Sequence, residues 1–227
     1  MRGDHAALVT APIVKKALLT AGFDAPGHTE LLLKLAGVPQ VAMMLGGAKL
    51  RVIVATTHCA LRDVADKLAS IDLAGLIKLT AAELRAKLGI ERPRLALAAL
   101  NPHAGESGRF GDEESTLLAP ALLAARAQGI DIAGPFPSDT LFARAVADAS
   151  YDAIIALYHD QALIPVKLLH FGNAVNTTLG LPFVRTSPDH GVAYDIAGKG
   201  IADAGSMCAA IEQAVDMASR MHRRTLR

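Results

Sequence analysis

The sequence predicts an α/β fold built on a mostly parallel sheet, and three observations predict it. Short apolar runs alternate with segments of helical periodicity along most of the chain. Runs such as Ala153-Ile154-Ile155-Ala156-Leu157 are bounded by polar residues, as buried strands are. With 227 residues, 52% of them hydrophobic and 20% charged, the chain can bury a sizeable core in one large domain or two small ones.

The first strand is Ala6 to Thr10, and Ala11-Pro12-Ile13 turns it into a helix from Val14 to Ala21. After Gly27-His28-Thr29-Glu30 a short helix runs from Leu31 to Ala36 and closes at Gly37. Val41 to Leu45 is a strand, and Gly46-Gly47 turns the chain toward a second, Arg51 to Ala55. Thr56-Thr57-His58 ends that strand. Amphipathic helices follow at Leu61 to Ile71 and from about Thr80 to Leu88, the latter with Ala81, Leu84 and Leu88 on one stripe. The strand Arg94 to Leu100 ends at Asn101-Pro102-His103, and a loop rich in Gly, Glu and Ser leads to a helix from Thr116 to Gln128. Ile154 to Leu157 and Pro182 to Thr186 are the later strands, and Ser206 to Met221 is a closing helix.

Composition excludes several classes of partner. A formal net charge of +1 gives no reason to expect nucleic acid or an acidic membrane. Aromatic residues make up 4% and tryptophan is absent, so a stacking platform for bases is not expected. Cys59 and Cys208 form no spacing motif, and no window reaches the length of a membrane span. The opening Met1-Arg2-Gly3-Asp4-His5 lacks the apolar core of a signal peptide. These features fit a cytoplasmic protein.

Chemistry is expected where strands end. His58, His103 and His159 each follow a predicted strand, and in an open parallel sheet such positions line one edge. Neutral imidazoles suit Zn²⁺ and similar ions, and three protein ligands with an open position is a catalytic arrangement. Alone, each histidine would be read as capping a turn or bonding a loop carbonyl; three in equivalent places favour a metal. Asp160 and Asp139 stand near the same edge as orienters or proton carriers, with capping of a helix from Thr140 as the alternative for Asp139. Lys167, Asn176 and Arg185 interrupt an apolar region and point to an anionic substrate, although surface solvation is the ordinary fate of Lys and Arg. The stretch Asp189 to Gly200 could bring backbone amides near a dinucleotide, but no GxGxxG follows a strand.

Several ordered motifs together resemble the 4-hydroxythreonine-4-phosphate dehydrogenase family of pyridoxal phosphate biosynthesis. They are Leu8-Val9-Thr10-Ala11-Pro12-Ile13, Gly27-His28-Thr29-Glu30, Thr56-Thr57-His58 and Asn101-Pro102-His103-Ala104-Gly105-Glu106. Further on come Tyr158-His159-Asp160-Gln161, Ala174 to Pro182, and Asp195-Ile196-Ala197-Gly198-Lys199-Gly200. The resemblance implies an isocitrate/isopropylmalate dehydrogenase-like α/β/α fold of two subdomains with a cleft. Residues 26–189 would carry metal and substrate, and residues 1–25 and 190–227 the remainder of the cofactor side. It implies metal ligation by His58, His103 and His159, with the ion (zinc, magnesium or cobalt) shared across a homodimer interface. Substrate binding falls on His28, Thr29, Lys167, Asn176 and Arg185. The best local candidates for contact with NAD, or NADP, are Asp189, His190, Gly191 and Asp195. Asp139 and Asp160 are the candidates for proton transfer.

The implied reaction oxidises 4-phosphohydroxy-L-threonine to the 3-oxo acid, which decarboxylates to 3-amino-2-oxopropyl phosphate. Two departures qualify it. The family's Gly-Asp-Pro-x-Gly-Ile-Gly-Pro-Glu motif has no counterpart, so the chain reads as N-terminally truncated, starting about a third of the way into the pattern. Val192 and Tyr194 stand where the family more often has Thr and Phe. The alternatives are a paralogue acting on 4-phospho-threonate, 4-phospho-erythronate or a dihydrodiol, and a truncated, non-catalytic binding remnant.

Overall fold

The computed structural model describes residues 5–23, 25 and 27–225. Residues 1–4 and position 26, the expected boundary between the two parts of the chain, lie outside the described residues. The strands are β1 (Ala7–Val9), β2 (Ala42–Gly46), β3 (Arg51–Thr56), β4 (Leu95–Ala98), β5 (Ile132–Phe136), β6 (Ala153–Tyr158), β7 (Val175–Leu179) and β8 (Val184–Pro188). They join in one sheet in the order β1-β8-β7-β2-β3-β6-β4-β5. The half formed by β3, β6, β4 and β5 is wholly parallel. The other half is mixed, because β2 runs against both β3 and β7, and β7 against β8. The sheet is therefore α/β as expected, with an antiparallel component that the Gly46-Gly47 turn introduces.

Both faces are covered. On one, Met44, Ile53, Leu95, Leu97, Ile155 and Leu157 lie under α3 (Val64–Ser70), α4 (Leu73–Leu88) and α5 (Ala119–Ala127). On the other, Leu45, Val52, Val54, Ile154 and Ala156 lie under α6 (Ser138–Asp148) and α7 (His159–His170). Period-2 alternation along each strand sends successive side chains to opposite cores, which is why Ile154 and Ile155 are both buried. Burying one such side chain stabilises by about 1.5–3 kcal/mol. The closing helix α8 (Gly205–Thr225) packs Ala214 and Met217 on Val184 of β8.

The structure corrects several boundaries. α4 begins at Leu73 rather than Thr80, because Asp72 caps it by accepting a hydrogen bond from the Gly75 N–H at 2.8 Å. α1 is Lys15–Thr20, and α2 (His28–Ala36) takes in the His28-Thr29-Glu30 segment and ends at Gly37 in the left-handed conformation, φ 64°. Two strands gave no apolar signal: β5, Ile-Ala-Gly-Pro-Phe, sits at the sheet edge where proline is tolerated, and β7, Val-Asn-Thr-Thr-Leu, buries threonines instead of aliphatics. α7 was hidden by Pro165, which lies inside it. Burial of Ala162, Leu163 and Val166 against the sheet outweighs the hydrogen bond that proline removes.

The turn between β7 and β8 is clasped from α4. Lys87 Nζ, with a side chain 3% exposed, lies 2.6 Å from Glu83 and donates to the carbonyls of Leu181 at 2.7 Å and Phe183 at 3.3 Å. Glu83 in turn accepts from the Gly180 N–H at 2.7 Å. Replacing Lys87 by alanine would leave the largely covered Glu83 carboxylate without its cation, at a cost of about 3 kcal/mol. Lys87→Ala should therefore lower the denaturant midpoint sharply, and Glu83→Gln/Lys87→Met by less. A single variant within about 1 kcal/mol of wild type would remove the clasp from the account.

Candidate functional site

The parallel strands deliver the three histidines differently. His58 follows β3 by two residues, and His159 is the first residue of α7, directly after β6. Since β3 and β6 are neighbours, with Thr56 paired to Tyr158, these two imidazoles meet at 5.6 Å between ring centroids. Both line a cavity of about 540 Å³ together with Thr57, Cys59, Tyr158 and Asp160. His103 follows β4 on the other side of β6 and lines an adjacent cavity of about 270 Å³ with Asn101, Ser138, Asp139 and Tyr158. Its ring stacks obliquely 6.3 Å from Phe110. Among the described residues, no group of three or more His, Cys, Asp or Glu side chains stands close enough to hold one ion. One chain thus brings together two of the three expected ligands.

Asp160 is exposed and lies 2.7 Å from His159 Nδ1. A carboxylate there favours the proton on Nδ1, which leaves the Nε2 lone pair as the free donor of the ring. That contact fits an orienting role. Asp139 does not cap a helix at Thr140: α6 starts at Ser138, its N-cap is Pro137, and no side-chain cap is made. It sits in the first turn, where the helix dipole favours an acid, and faces the His103 cavity. Gln161, read from sequence only as a nearby amide, is the junction of the edge. Its Oε1 accepts from Leu157 N–H at 2.6 Å, and its Nε2 donates to Ala99 carbonyl at 2.7 Å and Ser138 Oγ at 2.8 Å.

The expected anion-binding residues lie elsewhere on the sheet. The β7–β8 register places Asn176 and Thr178 on the same face as Arg185. Arg185 is 4% exposed, and its guanidinium donates to Thr178 Oγ at 3.1 Å and Thr10 Oγ at 2.7 Å. Neither partner is an acid, Arg185 Nε has no hydrogen-bond partner among the described residues, and burial pulls its pKa down to about 10. Asn176 Oδ1 is likewise buried without a partner among the described residues. His28, on α2, has its pKa lowered first by burial and then by the charge of Arg185, which places it in the same field. A buried cation without a counterion is costly unless an anion completes it. Thr10 and Thr178 were missed by sequence reading; only their pairing across strands reveals them. Thr29 is half-buried beside His28 in the first turn of α2.

Asp189 directly follows β8, and Lys167 on α7 reaches it. Lys167 Nζ stands 3.7 Å from Asp189 Oδ2, which is buried. Burial raises the Asp189 pKa, against the opposing charges of Lys167, His159 and His190. Lys167 and Asp189 are therefore brought together, while His190, Gly191 and Asp195 are exposed on the segment beyond. His190 Nδ1 lies 2.8 Å from the Gly191 carbonyl, and a Cβ on Gly191 would meet no atom within 4 Å.

Fold and site together define an α/β protein with a histidine edge and a buried cationic face. The family model described as pyridoxal phosphate biosynthetic protein PdxA matches residues 1–214, and the chain belongs to that family. The chain is 52% identical over 221 residues to the 4-hydroxythreonine-4-phosphate dehydrogenase of Bradyrhizobium diazoefficiens, covering 96% of this chain and 64% of that protein. Its likeness to the enzyme of the same name from Geobacter metallireducens is 53% over 218 residues, with 96% and 64% covered. Among solved structures, the 4-hydroxythreonine-4-phosphate dehydrogenase of Klebsiella pneumoniae aligns with a TM-score of 0.85 at 48% identity, over 94% of this chain and 65% of that one. A terephthalate 1,2-cis-dihydrodiol dehydrogenase from Burkholderia xenovorans aligns with a TM-score of 0.69 at 28% identity, over 94% and 67%. The chain spans just under two thirds of the length of the first curated relatives it matches.

Two histidines, His170 buried and His28 half-buried, set an acid limit. His28 is lowered by burial and Arg185; His170 is lowered by burial and Lys49, against a raising contact from Asn173. Each folded pKa lies below the reference of 6.5, so between the two values the unfolded chain binds more protons. The stability tied to them is complete above pH 6.5 and is lost as the pH falls through the folded values. Urea titrations from about pH 7.5 to 5.5 should show a shallower loss in His28→Asn/His170→Asn than in wild type. Equal slopes would mean that other groups govern the acid limb.

Proposed function

We propose that the chain carries the metal- and substrate-binding part of an NAD-dependent oxidation of 4-phosphohydroxy-L-threonine, which yields the 3-oxo acid and, after loss of CO₂, 3-amino-2-oxopropyl phosphate. The observation that carries this reading is the pair of adjoining histidines at the C-terminal ends of β3 and β6. His58 and His159 adjoin at 5.6 Å over one cavity, with Asp160 freeing the His159 Nε2 lone pair. His103 of the partner copy in a homodimer completes the ligand set, because His103 of the same chain faces the neighbouring cavity.

Zinc, magnesium or cobalt bound there supplies Lewis acidity for loss of the substrate's hydroxyl proton and for the negative charge that develops as CO₂ leaves. NAD, or NADP, supplies the hydride acceptor, with His190, Gly191 and Asp195 on the open segment as its contacts. The chain's own side chains do the rest. Arg185, with Asn176, His28 and Thr29 around it, binds the anionic end of the substrate, and the unsatisfied Arg185 Nε and Asn176 Oδ1 are the groups a ligand would complete. Lys167, held by Asp189, adds a second positive charge. Asp139 is the candidate proton carrier beside His103. Residues 26–189 form the metal and substrate part in this reading, and 1–25 with 190–227 the cofactor side. The reading places the enzyme in the cytoplasm; no helix among the described residues is long and apolar enough to cross a membrane.

NADH formation at 340 nm with 4-phosphohydroxy-L-threonine should depend on added divalent metal, and His103→Ala should lose metal retention. Turnover confined to 4-phospho-threonate, 4-phospho-erythronate or a dihydrodiol would reassign the substrate. Metal bound in stoichiometric amount without turnover on any of them would make the chain a binding remnant. Unchanged metal in His103→Ala would overturn the three-histidine assignment.

A further inference from the structure

Among the residues that the sequence reading passed over is a buried carboxylate devoted to the loop that carries His103. Glu114 is 8% exposed, and no ion pair among the described residues involves it. Its Oε1 accepts from the N–H groups of Leu100 at 2.9 Å and Asn101 at 2.7 Å, and its Oε2 accepts from Asn101 Nδ2 at 2.9 Å. Asn101 Nδ2 also donates to Glu113 Oε2 at 2.6 Å. The grip therefore begins where β4 ends, two residues before His103. It reaches the far side of the loop as well, since a Cβ on Gly105 would lie 2.8 Å from Glu114 Oε2.

The loop needs such a grip. From His103 to Gly108 six consecutive residues have positive φ, at 52°, 56°, 78°, 42°, 59° and 89°. Four of them, His103, Ala104, Glu106 and Ser107, carry a Cβ that disfavours this conformation. Conformations of this kind persist only where surrounding contacts over-determine them, and they cluster at functional sites. Glu114 itself opens a single π-helical turn, Glu114–Leu118, another irregularity that recurs at such sites. His103 is exposed at the start of the left-handed run, with the Phe110 ring as its aromatic neighbour, so the loop backbone sets its direction.

We propose that Glu114 is a positioning residue for His103: its carboxylate ties Leu100, Asn101 and the Gly105 turn together and so holds the left-handed loop in the form that presents the imidazole as a metal ligand. The role rests on the metal reading given above. Glu114→Gln keeps the shape but loses the charge, and it sets an amide N–H₂ against donors that now meet carboxylate oxygens.

The test reads the loop and the metal separately in wild type, Glu114→Gln, Asn101→Ala and His103→Ala. Tryptic cleavage after Arg109, which is exposed on the loop, reports the loop without any metal. Cobalt affinity and the cobalt visible absorption band report ligand geometry, which a merely structural role would leave unchanged. Glu114→Gln should be cut after Arg109 at least tenfold faster, bind cobalt at least tenfold more weakly and shift the band; Asn101→Ala should move all three in the same direction by less. Wild-type cleavage and an unchanged cobalt spectrum in Glu114→Gln would overturn the proposal. If that variant does not fold, the same two results in Asn101→Ala overturn it. Cobalt lost by His103→Ala but kept by Glu114→Gln would sink only the role of Glu114. Cobalt kept by His103→Ala would overturn the metal reading and this inference with it.

Discussion

Parallel pairing of β6 with β3 on one side and β4 on the other is the constraint on which the rest of the structure depends. Because the three strands run the same way, their C-terminal ends fall on one edge, and the residues that follow them share it. The pairing is bonded beyond the ladder as well. Thr56 Oγ donates to the Leu157 carbonyl at 2.7 Å, and Gln161 bonds the end of β6 to Ala99 and Ser138. A slip of one residue would turn Ile154 and Ile155 to the wrong cores and carry His159 away from His58.

The edge and the cationic face obey different physics. At the edge, exposed imidazoles are aimed by backbone and by one carboxylate, so their cost in stability is small. On the β7–β8 face, a guanidinium is buried and bonded to hydroxyls, with no acid paired to it among the described residues, and its pKa of about 10 records the desolvation it bears. The Lys87–Glu83 clasp sits under the same hairpin. Stability is thus concentrated around a group that is itself unfavourable without a ligand, a common arrangement at binding sites.

Much of this was legible in the sequence where burial leaves an aliphatic signature. β2, β3, β4 and β6 were readable as apolar runs, and with them the positions of His58, His103 and His159 at strand ends. The antiparallel half was less legible, because β7 buries threonines and because strand direction leaves no trace in composition. Pro165 disguised α7, whose stability comes from tertiary packing. The pairing of Arg185 with Thr10 joins residues 175 apart in sequence, and its pairing with Thr178, like that of Lys167 with Asp189, is set by strand register and helix packing that leave no mark in composition. Glu114 gave no signal because an acid before a helix ordinarily reads as a favourable first-turn charge.

The central claim is that one chain supplies His58 and His159 while a second copy supplies His103. Mixing tests it directly: His103→Ala chains are combined with His58→Ala/His159→Ala chains after dissociation and reassociation, and bound cobalt is measured. Neither variant alone should retain the ion, whereas the mixture should recover it, to at most about a quarter of the wild-type capacity, since about half of randomly paired dimers are mixed and each holds one complete site. A mixture that binds no more cobalt than its two components would contradict a site shared between copies.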